Sequence, residues 1–212
     1  FESATIYPTP EGEQLKCPPP LSTYGFKKLA CEYYAKGAWE QYHLPYTIIR
    51  PFNCIGIGEK RALCATEILS GNIKLAMSHV VPDLVQKVLK GQDPLHILGE
   101  GNQIRHYTYG GDLAEGIRIC IESHKAINED FNLSTPISTT VLELAQLIWD
   151  KINTGKTFRY VSDDPFTYDV QKRVPSVEKA RNVLGFEAKT TISAALHEII
   201  PWIKKQIDIG GI

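Results

Sequence analysis

Apolar residues return every three or four positions in several stretches of this chain, and short β-branched runs fall between them. The first such run, residues 2–7, predicts a buried strand. A Pro/Glu-rich loop over 9–21 follows. Residues 22–42 predict a helix with Ser22 as cap and Phe26, Leu29, Ala30 and Tyr33 at core-facing spacing. Tyr46–Arg50 predicts a strand that stops at Pro51. Residues 54–78 read as a loop or short helix. Val80–Lys90 predicts a helix, Leu95–Leu98 a strand, and Gly99–Asn102 a turn. Arg105–Tyr109 reads as extended, and Asp112 as the cap of a helix running to Ser123. Phe131–Leu133 and Phe158–Val161 predict strands. Further helices are expected over Thr140–Ile152, Ser176–Leu184 (closed by Gly185) and Ser193–Ile207, where Pro201 should introduce a kink. Strands alternating with helices indicate an α/β fold with a parallel sheet.

Composition narrows the function classes. The chain has 212 residues, 43% of them hydrophobic, enough for one sizeable core and a smaller second lobe. Its 23 basic and 24 acidic side chains give a net charge of -1, so no electrostatic case exists for nucleic acid or an anionic membrane as partner. No apolar run approaches the roughly 18 residues of a membrane span, and the first residues do not read as a signal peptide. Cys17, Cys31, Cys54, Cys64 and Cys120 are odd in number and dispersed; they read as reduced, cytoplasmic thiols. With the six histidines also scattered, no metal site is expected.

The candidate chemistry starts at Tyr24-Gly25-Phe26-Lys27-Lys28. One helical turn separates Tyr24 from Lys28, so phenol and ammonium share a face. A nearby cation favours the phenolate form, which is one way to make a tyrosine act as a base. The spacing alone also fits an ordinary exposed helix face.

Four further motifs follow a fixed order around it: Ser3-Ala4-Thr5-Ile6-Tyr7; Arg50-Pro51-Phe52-Asn53; Gly99-Glu100-Gly101-Asn102-Gln103-Ile104-Arg105 leading into Gly111-Asp112-Leu113; and Tyr168-Asp169-Val170-Gln171-Lys172-Arg173-Val174-Pro175 with Leu184-Gly185-Phe186 behind it. Together these resemble the extended short-chain dehydrogenase/reductases, specifically the NAD-dependent nucleotide-sugar epimerase/dehydratase family, from Ser3 to about Lys204. The resemblance implies a Rossmann-type parallel sheet plus a smaller mixed α/β substrate lobe. Its expected division is 1–60, end of the dinucleotide domain; 61–105, substrate lobe; 106–135, return to the sheet; and 136–212, C-terminal substrate lobe. The Gly-rich turn that holds the dinucleotide pyrophosphate in that family is missing, so the chain is expected to be the C-terminal portion of a longer enzyme and inactive alone.

The resemblance also implies roles. Tyr24 would be the acid/base, Lys28 its partner on the nicotinamide ribose, and Ser3 the orienting hydroxyl. Pro51 and Phe52 would flank the nicotinamide of NAD or NADP. Asn53, His79, Val80, Arg105 and Arg173 would contact a nucleotide-diphosphate sugar, the arginines because their fork pairs two phosphate oxygens. The helix at 22–42 would pack on its own copy in a homodimer. Ser3-Ala4-Thr5 lacks the carboxylate that dehydratases and decarboxylases carry there, and resembles UDP-galactose 4-epimerases. Ile6-Tyr7-Pro8 and Ser78-His79-Val80 resemble GDP-fucose synthase, which has a cysteine at the place of Thr5. The expected function is therefore UDP-sugar 4-epimerisation. An NADPH-dependent ketosugar reductase/epimerase and a non-catalytic sugar-nucleotide-binding fragment are the alternatives.

Overall fold

A computed structural model of the chain describes residues 2–59, 67–70, 73–76, 79–165 and 170–210. Two compact units emerge. Unit 1 holds Phe1–Cys54, His106–Ser138 and Arg173–Thr190; unit 2 holds Ile55–Arg105, Thr139–Lys172 and Thr191–Ile212. The sequence expectation kept 136–212 together. Residues 173–190 instead pack in unit 1, because Thr9 N–H donates to the Val174 carbonyl (2.7 Å) and buried Asn132 Nδ2 to the Ser176 carbonyl (3.2 Å).

In unit 1, strand β1 (Thr47–Pro51) pairs in parallel with β6 (Glu129–Leu133), with Ile49 opposite Phe131. Helix α1 (Thr23–Tyr42) leads into β1, and α3 (Gly110–Glu122) precedes β6. The core is built from Leu113, Cys120, Ala126, Phe131, Leu133, Ala180 and Phe186. Gly116 lets α3 close on it: a Cβ there would come within 2.9 Å of Leu133 and 2.8 Å of Phe186.

Unit 2 contains a hairpin of β2 (Glu67–Ser70) and β3 (Ile73–Ala76), a parallel pair of β4 (Leu95–Leu98) with β8 (Tyr160–Asp163), and a short antiparallel pair of β5 (Ile104–Arg105) with β7 (Thr139–Thr140). Helix α2 (Val80–Leu89) packs against β4, α4 (Val141–Ile152) and α5 (Ile192–Asp208). Their apolar stripes bury Val81, Leu84, Val85, Leu144, Ile148, Trp149, Leu196, Ile199 and Ile203. Thr140 and Glu143 cap α4 reciprocally, and Pro201 is carried inside α5.

Several expectations are corrected. Residues 2–7 form no strand. They have no ladder partner among the described residues, and side chains satisfy the carbonyls instead: Tyr7 hydroxyl donates to Ala4 O (2.6 Å) and Thr9 hydroxyl to Ile6 O (2.8 Å). The described part of 54–78 carries a hairpin rather than a loop or helix, and 9–21 includes a 3-10 turn at Glu13–Leu15. Tyr109, not Asp112, occupies the cap position of α3; the Asp112 carboxylate accepts from Thr190 N–H instead. Extended structure at 105–109 shrinks to Ile104–Arg105, and the strand expected from Phe158 starts at Tyr160. The helix expected over 176–184 begins at Glu178 and runs through a π-type turn, Ala180–Leu184, closed by Gly185 at φ 68°. Phe1, Cys64, Ser78, Tyr168 and Asp169 lie outside the described residues.

The largest correction concerns α1. None of its residues is buried, and Phe26 and Tyr33 are exposed rather than core-facing. The helix is turned so that Tyr24, Lys28, Cys31, Glu32 and Ala35 face β1. Polar anchors described below set that rotation.

Candidate active site

Seven of the ten expected site residues line one cavity of unit 1, about 550 Å³ in volume: Ser3, Tyr24, Lys28, Pro51, Phe52, Asn53 and Arg173. Helix α1 supplies Tyr24 and Lys28 one turn apart, and the Lys28 ammonium stands 5.5 Å from the Tyr24 ring centroid. Strand β1 ends in Pro51 and delivers buried Phe52. Asn53 adopts φ 37°, a conformation asparagine tolerates, and is pinned by two bonds: its Nδ2 donates to His106 O (3.4 Å) and its carbonyl accepts from Thr108 N–H (3.1 Å).

The start of α1 is held in an unusual way. Ser22 N–H donates to one Glu2 carboxylate oxygen (3.0 Å) and Ser22 hydroxyl to the other (2.6 Å), while Ser22 Oγ accepts from Gly25 N–H (2.9 Å). Gly25 is glycine for a steric reason. A Cβ there would lie 2.5 Å from the Glu2 carboxylate and 2.8 Å from Pro20.

A second anchor sits farther along α1. Arg50 Nε and Nη2 donate to the two oxygens of Glu32 (2.7 Å each), and Nη2 also donates to Asp130 (2.7 Å). Lys179 extends the network to Asp130 and Glu129 (2.8 Å each), and Gln14 Nε2 donates to Glu32 (3.4 Å). Burial pushes the Asp130 carboxyl up, but hydrogen bonds from Lys179 and Arg50 outweigh it and hold the group below its ordinary range.

His79, Val80 and Arg105 belong to unit 2. His79 takes the cap position of α2, and its Nδ1 meets a Glu59 carboxylate oxygen, a contact that raises the imidazole's affinity for a proton above normal despite partial burial. Val80 opens α2. Arg105 Nη1 donates to the carbonyls of Ile104 (3.0 Å) and Gln171 (3.4 Å).

Sequence reasoning missed Glu2, Glu32, Cys17 and Cys31, which line the same cavity. Glu32 was findable: it follows Lys28 by one turn on the Tyr24 face. Glu2 carried no signal, because its partner lies twenty positions away. Buried His106 was also missed. Its Nδ1–H donates to Thr135 O (2.8 Å), and its Nε2 has no hydrogen-bond partner among the described residues. Burial lowers its proton affinity, only partly offset by that bond. Among the described residues there is no cluster of metal ligands and no helix long and apolar enough to cross a membrane.

Comparison with known proteins now defines the class. Residues 1–134 match the profile of the NAD dependent epimerase/dehydratase family, and the chain belongs to that family. It is 28% identical over 185 residues to a putative UDP-glucose 4-epimerase of Methanocaldococcus jannaschii, covering 87% of this chain and 54% of the relative. It is 31% identical over 130 residues to UDP-glucuronic acid decarboxylase 2 of Arabidopsis thaliana, covering 60% and 28%. Among solved structures, UDP-glucose 4-epimerase of Thermotoga maritima with UDP-glucose superposes at a TM-score of 0.80, with 28% identity, over 98% of this chain and 60% of that one. The chain thus spans about half the length of the epimerases it matches or slightly more. The mixed α/β architecture with parallel strand pairs accords with this Rossmann-type neighbour.

Proposed function

We propose that this chain carries the substrate-binding and proton-transfer part of an NAD-dependent nucleotide-sugar 4-epimerase acting on UDP-sugars. One observation carries the reading: a single cavity gathers Ser3, Tyr24, Lys28 and Arg173, while its carboxylates are otherwise engaged. Glu2 is bound to Ser22 and Glu32 to Arg50. The acid/base group is therefore the Tyr24 hydroxyl, with the Ser3 hydroxyl to orient the sugar, which suits reversible oxidation of a sugar alcohol better than elimination or decarboxylation. Arg173 adds positive charge for a diphosphate.

The nicotinamide riboside end of NAD would sit in this cavity, which Tyr24, Lys28, Pro51 and Phe52 all line. No Gly-x-x-Gly-x-x-Gly turn for the pyrophosphate occurs among the 212 residues. NAD held there would supply reversible hydride chemistry at the sugar carbon. Tyr24 takes the hydroxyl proton and gives it back. Ser3 holds the sugar oxygen by a hydrogen bond, and Lys28 holds the ribose. Asn53 and Arg173 grip the diphosphate. Roles for His79, Val80 and Arg105 in holding the sugar-nucleotide rest on the motif match.

The ketosugar-reductase alternative rests on His79, whose ring is engaged by Glu59. A homodimer through α1 is supported by its exposed Phe26, Tyr33, Tyr34 and Tyr42, and a cytoplasmic location by the free thiols of Cys17, Cys31, Cys54 and Cys120. Calorimetry with UDP-glucose, UDP-galactose and a GDP-sugar tests the reading. UDP-sugars should bind, with Arg173→Ala weakening them roughly 10- to 100-fold, the scale of a hydrogen bond to a charged partner. In turnover by the whole epimerase of which this chain is proposed to be a part, Tyr24→Phe should lower kcat by about 10²–10⁴-fold. Absence of UDP-sugar binding refutes the proposal.

A further inference from the structure

We infer that Glu2 is a positioning residue of this site: its carboxylate clamps the start of α1 and thereby fixes Ser3 beside Tyr24. The role rests on the acid/base reading above, which Glu2 itself has no part in. Three measurements carry it. Both Glu2 oxygens are used, one by Ser22 N–H (3.0 Å) and one by the Ser22 hydroxyl (2.6 Å). The Ser22 hydroxyl oxygen then accepts from Gly25 N–H (2.9 Å), so the carboxylate, the serine and the first turn of α1 form one chain of hydrogen bonds. And the Glu2 carboxylate lies over Gly25 so closely that a Cβ there would stand 2.5 Å from it.

Glu2 precedes Ser3, and Gly25 follows Tyr24. Glu2 seated over Gly25 therefore ties together the chain neighbours Ser3 and Tyr24, both of which line the cavity. No strand ladder does this work, since residues 2–7 form none. The same bonding removes Glu2 from proton transfer. A carboxylate that already accepts two hydrogen bonds from Ser22 is a strut, not a base waiting in the cavity. Its charge also sits at the N-terminal end of a 20-residue helix, where a negative group is favoured.

The clamp is geometric, and this separates it from a charge effect. In Glu2→Gln the amide oxygen still accepts from Ser22 N–H and the amide N–H₂ donates to Ser22 Oγ, which keeps a lone pair for Gly25. In Glu2→Ala both bonds vanish.

The test uses the full 212-residue chain with [4-13C]tyrosine and amide exchange read by NMR, the Tyr24 resonance being identified through Tyr24→Phe. Glu2→Ala should speed exchange at the Ser22 and Gly25 amides at least tenfold, move the Ser3 and Ala4 shifts to random-coil values, and shift the Tyr24 Cζ resonance. Glu2→Gln should keep exchange within about threefold and restore the Tyr24 signal. In the whole epimerase with NAD and UDP-sugar, Glu2→Ala should lower kcat at least tenfold with KM within threefold. Exchange unchanged within twofold in Glu2→Ala overturns the proposal. So does faster exchange with native Ser3 and Tyr24 signals, which would make Glu2 a helix cap and nothing more. Failure of the unaltered chain to bind UDP-sugar counts against the epimerase reading alone, and the NMR comparison still decides the role of Glu2.

Discussion

Replacing Arg50 with methionine should destabilise unit 1 by about 3 kcal/mol, the low end of the range for breaking a buried ion pair. The guanidinium side chain is 11% exposed, and its partners Glu32 and Asp130 are 15% and 18% exposed, so water screens them weakly. Methionine matches the length of the arginine stem, so little packing is lost; what remains is uncompensated charge. Asp130 keeps Lys179, while among the described residues Glu32 keeps only the longer Gln14 contact (3.4 Å). That asymmetry places the cost at the low end and puts most of it on Glu32. The double change Arg50→Met/Glu32→Leu should therefore recover at least half of the loss, because an apolar pair in place of a buried ion pair is close to neutral. Arg50→Lys keeps the charge but loses the two-pronged geometry, and should fall between. Urea unfolding of protein labelled with 5-fluorotryptophan resolves the units, with Trp39 reporting on α1. At an m-value of about 2 kcal/mol/M, the Trp39 midpoint should drop by about 1.5 M in Arg50→Met. A loss below about 1 kcal/mol, or no recovery in the double variant, would show that the network is surface-like in its energetics.

Three other outcomes are expected. Gly25→Ala gains about 1 kcal/mol of helix propensity but drives a methyl against Glu2 and Pro20, and overpacking of this kind costs about 1–3 kcal/mol, so the thermal midpoint should fall; a rise would refute the seating of Glu2. His106, buried and neutral, has a folded-state proton affinity below that of the unfolded chain. Its contribution to stability is complete above about pH 6.5 and is lost as pH falls below that value; a His106 titration midpoint at or above 6.5 by NMR would contradict this. His79 is the opposite case, raised by Glu59, so its contribution is complete below about pH 6.5 and lost as pH rises through the folded-state value. Glu59→Gln should return its titration toward 6.5, and no change would remove Glu59 as the cause.

Much of the site was legible because chemistry-bearing residues sit in short motifs whose local geometry is fixed. Tyr24 and Lys28 share a face in any helix, and Pro51, Phe52 and Asn53 follow one strand, so their convergence on one cavity needed only that strand and helix be neighbours. Helices α2, α4 and α5 were legible from apolar periodicity, since each buries one stripe. Helix α1 was not. Apolar and aromatic residues occur all round it, so periodicity could not choose a face; partners 18 positions or more away in sequence, Arg50 and Gln14 on Glu32, determine the rotation. Residues 2–7 show why β-branched composition is insufficient: a strand requires a neighbour to bond, and here the Ala4 and Ile6 carbonyls accept from side-chain hydroxyls instead. The hairpin at β2 and β3 did carry a signal, Gly71-Asn72 between two short apolar runs, that the looser reading of 54–78 passed over.

A helix with no buried residue that nevertheless carries Tyr24 and Lys28 must be held by something other than a core. Helical stability in proteins comes mostly from packing one face, which α1 lacks among the described residues. Two polar pins replace it. One is Glu2 on Ser22, tied to Gly25; the other is Arg50 on Glu32. Tyr24 and Lys28 lie between them, and this placement has a mechanical consequence. With the first pin removed, α1 can tilt about Glu32. Tyr24 stands about 12 Å from that pivot at ~1.5 Å per residue, so a tilt of about 10° carries the phenol through about 2 Å. Misplacement by about 1 Å can cost on the order of 10²-fold in rate. Either pin alone therefore leaves α1 free to swing, and losing the second adds little once the first is gone. The rate effects of Glu2→Ala and Arg50→Met should combine to much less than their product, whereas two changes acting only through independent local stability would add in free energy. Full additivity in the double variant would mean that the two ends of α1 are not mechanically coupled.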